Sequence, residues 1–181
     1  MAKIIRFQAY RTRMVELKAF ESWHKLFGEK YVEKTSCADI SDKTLFRLAS
    51  PGNESTIAFY AMIMGTLDLG CPAKFDYLKS SDQLRVLDIH LFLADNIRFE
   101  LMKRLWWIKN LPCEGLPLIE IVQSFDKVKA QSRGKSPILS KSYPDYNIYS
   151  TLAKIDKETF IRLLLPDAIA AFKERLEVYG I

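Results

Sequence analysis

The sequence is poor in the residues that announce a named chemistry. Its 181 positions hold two histidines, His24 and His90, and three cysteines, Cys37, Cys71 and Cys113. An odd number of widely spaced cysteines without a CxxC pair is neither a disulfide framework nor a zinc knuckle. Small buried hydrophobes are the expected role. A catalytic thiol needs a cation or histidine beside it, which the spacing does not supply. The seven glycines are scattered singly. No GxxxxGK[ST], GxGxxG or GxSxG occurs, so neither a phosphate loop nor a nucleophile elbow is predicted.

Long apolar runs are missing too. The richest, residues 56–69 and 84–94, fall short of the ~20 apolar residues that a spanning helix needs. The start, MAKIIRFQAYR, has neither a secretory apolar run nor a small-residue cleavage site. These features predict a cytoplasmic protein with no membrane association. Glu21-Ser-Trp-His24 is half of a di-iron carboxylate motif, but Glu100 is followed at the third position by Lys103 rather than histidine. No metal and no cofactor is expected.

What is present is an ordinary globular composition, 49% hydrophobic and 27% charged, at a length that suits one domain. Apolar residues recur at helical spacing. Tyr10, Met14, Leu17 and Phe20 mark a helix from about Tyr10 to Phe27, stopped by Gly28. Ser41 and Asp42 cap a short helix through Leu48. Residues 54–69 form a strongly apolar helix whose interior Gly65 loses about 1 kcal/mol relative to alanine, a loss that a close helix crossing offsets. Residues 116–122 fit either a short strand or the first turns of a helix running on to Ala130, and the helix is the preferred reading. Residues 156–165 and 167–179 read as two more, separated by Pro166.

The longest uninterrupted segment is 81–110, capped by Ser81 and Asp82, free of Gly and Pro, and ended by Pro112. The fold class is therefore all-α: a single-domain bundle of six or seven helices around this long central helix, with a long loop at 131–150.

The first half of the central helix is apolar nearly all round, the pattern of a buried element. Asp88, His90, Asp95 and Arg98 ride on it, and buried charges need partners. Arg85 with Asp88, and Asp95 with Arg98, are spaced to pair locally. The functional alternative is a ligand pocket around Asp88, His90, Asp95 and Arg98, in which burial and pairing shift their pKa values.

The net charge of +5 gathers in two regions. Residues 1–36 carry eight Lys/Arg against four Asp/Glu, and 127–141 carry five cations and no acid. The second region continues into Tyr143, Tyr146 and Tyr149. Tyrosine anchors holding a loop to the body are the first reading of 127–149, a protein partner the second, and single-stranded nucleic acid the third. Adjacent Trp106 and Trp107 point about 100° apart on a helix, so one is core and the other lies near the surface. With the apolar central helix they predict a homodimer. The function expected from all this is a non-enzymatic helical binding or adaptor protein, ahead of an enzyme or ligand sensor built on the central helix.

Overall fold

Two long helices frame the molecule in the computed structural model, which describes the backbone of residues 2–180 and side chains from Phe7 to Gly180. One is α1 (Ala2–Phe27). After it come α2 (Asp42–Ala49) and α3 (Asn53–Thr66), then the second long helix, α4 (Ser80–Arg104). The remainder comprises β1 (Ile108–Lys109), α5 (Leu118–Gln123), α6 (Phe125–Ser132), β2 (Ile138–Leu139), α7 (Tyr146–Thr151), α8 (Lys154–Leu163) and α9 (Leu165–Val178). The class is all-α.

α3 holds the middle of the first half, touching α1, α2, α4 and α5. Ala58, Phe59, Ala61, Met62, Ile63, Met64 and Thr66 are all buried, so the all-round burial expected of the central helix belongs to α3. Gly65 is what lets α1 approach. A Cβ there would come 3.2 Å from the Ala19 Cα and closer still to the Lys18 main chain. The tight crossing anticipated at Gly65 is thus present. The Trp23 indole reaches across the same contact and donates to the Ala58 carbonyl at 2.8 Å. α2 starts as the sequence predicts, with the Ser41 hydroxyl accepting from the Thr44 amide at 3.2 Å.

α4 is the long helix expected, and it touches α2, α3 and α9. It ends at Arg104, six residues before Asn110. No glycine or proline stops it. The Trp107 amide bonds back to the Met102 carbonyl at 3.0 Å and the Trp106 amide to the Lys103 carbonyl at 2.9 Å, with Trp106 at φ +64°. This is a Schellman closure with tryptophan in the left-handed position where glycine is usual. Nothing in residue type marks it, which is why the helix reads longer in sequence.

Beyond it, β1 pairs antiparallel with β2, Ile108 opposite Leu139. The region 131–150 is therefore not one long loop: it holds the end of α6, β2 and the start of α7. Elements this short fall below the length at which periodicity shows. Likewise 116–130 is two helices, broken at Ser124. A contiguous core runs from Ala19 in α1 to Leu176 in α9, with Phe20, Trp23, Phe59 and Phe172 fully enclosed. Among the described residues no helix is long and apolar enough to cross a membrane.

Candidate functional site

The four ionisable residues singled out on the central helix are held by different neighbours. Asp88 lies exposed on the outer face of α4, its carboxylate 3.8 Å from the Lys129 ammonium of α6. Asp95, two turns on, accepts from the Arg162 guanidinium of α8 at 2.8 Å. The partners that reach these carboxylates thus come from other helices rather than from Arg85 and Arg98. The Arg98 Nε donates to the Ala49 carbonyl at 3.3 Å. His90 sits between the rings of Phe59 and Tyr60, with centroids 5.2 and 5.4 Å away. Burial, and secondarily the Arg98 charge, lower its pKa, which keeps the imidazole neutral. His90 and Arg98 are thus brought within electrostatic reach, while Asp88 and Asp95 look outward toward α6 and α8. Asp95, with Glu158 and Arg162, lines a recess of about 140 Å³. Chemically these groups are two interhelical ion pairs and one imidazole packed in an aromatic slot.

The thiols are quiet. Burial pushes Cys37 up to about 12 and also raises Cys113, so neither is a thiolate at neutral pH. Cys71 is exposed.

Free surface of a more specific kind lies on α1. Phe7, Tyr10, Met14 and Leu17 are 67%, 64%, 36% and 49% exposed. Tyr10, Met14 and Leu17 belong to the series whose spacing identifies the helix, yet of that series only Phe20 faces the core, beside Val15, Ala19, Trp23 and Phe27. α1 therefore has two apolar faces. The outer one spans about 80° on a helical wheel at 100° per residue. Its members follow the 3-4-3 spacing of a two-helix seam. Arg11 and Lys18 border it on one side and Arg13 on the other. Lys18 pairs with Asp68 at 2.7 Å; Arg11 and Arg13 have no ion-pair partner among the described residues. Glu16, the one acid in this stretch, is turned to the body, where it accepts from the Glu33 amide at 2.9 Å.

In 127–149 the aromatic residues serve the fold. Tyr143 packs edge-on against Trp107 at 5.2 Å. Tyr149 is buried and packs on Phe160 at 5.9 Å. The sequence does carry the signal for the α1 face, since Phe7 extends the Tyr10, Met14, Leu17 series by a further three-residue step. A single apolar stripe on a helix is normally its core stripe, and that assumption hides the second face.

Comparison with profiles of known families, with curated proteins and with solved structures gives no match.

Proposed function

We propose that this chain is a non-catalytic binding protein that docks an acidic amphipathic helix of a partner protein along the outer face of α1. The observation that carries this reading is the exposed Phe7–Tyr10–Met14–Leu17 stripe with cations on both borders. Large apolar side chains in water form a contiguous patch of the kind that marks interaction sites. The narrow seam favours another helix over a lipid surface, because an interfacial helix buries a broad apolar face. The borders choose the partner. In a two-helix seam the flanking positions face their counterparts, so α1 paired with α1 would set Arg11, Arg13 and Lys18 against one another. Glutamates in those places on a partner convert repulsion into attraction.

The test uses two designed helical peptides with leucine at the seam positions, one with glutamate and one with lysine at the flanking positions, together with anionic phospholipid vesicles. Calorimetric titration is expected to show the glutamate peptide binding at least tenfold more tightly than the lysine peptide. Equal affinity for the two peptides, or binding to vesicles but to neither peptide, contradicts the proposal.

A second reading, self-association, rests on a different surface. Leu84, Leu87 and Leu91 are exposed on α4, 65%, 38% and 63%. Arg85 and Asp88 beside them carry opposite signs, which suits the self-complementary contact of a two-fold dimer. Sedimentation velocity at micromolar concentration is expected to give a dimer that Leu91→Glu dissociates. A monomer at that concentration rules this reading out.

A further inference from the structure

α4 closes in the same kind of turn as α3, with a non-glycine residue at positive φ, but with a tryptophan where α3 has Asp68. Trp106 occupies the left-handed closure position with a bulky side chain, a conformation that disfavours any residue but glycine, asparagine or aspartate. Its ring is 80% exposed, so no core packing explains its presence there. Asn110, four residues on, also has positive φ, +59°, which asparagine tolerates, so the strain lies at Trp106. Non-glycine residues held in such conformations cluster where a ligand is gripped. Between them opens a cleft of about 520 Å³, within the range of small-molecule sites.

The cleft has a polar floor and a charged rim. Glu100 is 5% exposed. One of its oxygens accepts from the Arg104 Nε at 3.0 Å, and the other has no partner among the described residues. Arg104 is itself spent on Asp42 at 2.7 Å and on the Cys37 and Ala38 carbonyls, both at 3.1 Å. Ser140 is 3% exposed and lines the same cleft. Its hydroxyl has no hydrogen-bond partner among the described residues, and no unpartnered buried polar atom is sealed from solvent, so this hydroxyl opens on the cleft. At the rim, Lys103 is paired with Glu114. Arg175 donates to the Arg104 carbonyl at 2.6 Å and lies 3.8 Å from the Asp42 carboxylate, and Lys109 has no ion-pair partner among the described residues. The lining carries four cations against two carboxylates.

We infer that this cleft binds a nucleoside monophosphate, its base stacked on Trp106, its base edge donating to Glu100 and meeting Ser140, and its phosphate at Lys109 and Arg175. An exposed indole is a stacking platform for any base. A buried carboxylate oxygen accepts only, so it selects the N–H edge of a nucleobase over a plain aromatic acid. Lys109, unpaired among the described residues, supplies the charge that selects the phosphate, with the Arg175 guanidinium, 3.8 Å from Asp42, beside it.

The strained tryptophan makes the proposal separable from folding. Trp106→Gly relieves the left-handed strain and is expected to raise the melting temperature by a few degrees while weakening binding at least tenfold. Calorimetric titrations with AMP, CMP, GMP and UMP, adenosine, and inorganic phosphate supply the comparison. At least one mononucleotide is expected to bind with Kd below about 1 mM, a weak-ligand affinity. Adenosine and inorganic phosphate are each expected to be at least tenfold weaker than AMP. No binding of any mononucleotide at 10 mM, phosphate alone binding as well as AMP, or a Trp106→Gly chain that retains affinity overturns the inference; the 10 mM ceiling is about tenfold above that Kd.

Discussion

Gly65 of α3 lies directly against the main chain of α1 at Lys18, where an added Cβ would collide with the Lys18 carbonyl group. Helix propensity alone favours alanine at position 65 by about 1 kcal/mol. Packing has the opposite sign and is larger, because α1 must be pushed off the core that Ala19, Phe20 and Trp23 share with α3. Gly65→Ala is therefore expected to destabilise the chain by about 3 kcal/mol in urea unfolding. A neutral or stabilising effect would show that the two helices do not cross this closely.

Arg104 ties the end of α4 to α2 through Asp42 and to the 37–38 segment through the carbonyls of Cys37 and Ala38, while pairing with Glu100 on its own helix. Removing it strands the buried Glu100 carboxylate. Arg104→Met is expected to cost about 3–5 kcal/mol, as for other broken buried pairs, whereas Arg104→Met with Glu100→Met recovers much of the loss. Urea midpoints of the single and double variants measure this. A double variant no better than the single would place the cost in the carbonyl contacts instead.

The pH dependence has a definite sign at His90. Its folded pKa lies below the ordinary imidazole value of about 6.5, chiefly from burial between Phe59 and Tyr60. The unfolded chain takes up the proton first as pH falls. The stabilisation is thus fully present above about pH 6.5 and is lost as pH drops through that value toward the folded pKa. The carboxylates with lowered values, Glu29, Asp39 and Glu54, act in the acid range below this window. The melting temperature should fall between pH 7.5 and 5.5, and His90→Phe should flatten the fall. An unchanged slope in His90→Phe would show that another group sets it.

The three cysteines should differ in reactivity. Cys71 is exposed, while burial raises the pKa of Cys37 and Cys113. An aromatic disulfide reagent at pH 8 is expected to modify one thiol quickly and two only on unfolding. Cys71→Ser should remove the fast phase. Two fast thiols in the native chain would contradict the burial described here.

The sequence exposes the helical class through apolar spacing, and Ser41 and Gly65 mark where helices start and cross, while the break expected at Pro166 falls at Leu164 and the proline sits in the first turn of α9, where its missing N–H costs nothing. It misplaces the end of α4 because Trp106 adopts a glycine conformation without being glycine. It hides β1 and β2 because two-residue strands have no period. The ionisable residues of α4 are legible as a set, but their partners, Lys129 and Arg162, stand far along the chain and only the fold brings them near. The cleft at Trp106 is assembled from α4, β1, β2 and α9, so no local pattern announces it. The outer face of α1 is written in plain view, yet a stripe on a helix shows that a face is apolar without showing which neighbour covers it.

The reading of this chain as a docking protein is tested most directly by removing the outer α1 seam without touching the core. The measurement is the affinity of the glutamate-flanked peptide for the chain carrying Met14→Ser and Leu17→Ser, taken with its melting curve. Both side chains are exposed, so the melting temperature is expected to stay within a few degrees while affinity falls at least tenfold. Unchanged affinity in the folded double variant, or a collapse of the fold, would contradict the assignment of this face to a partner.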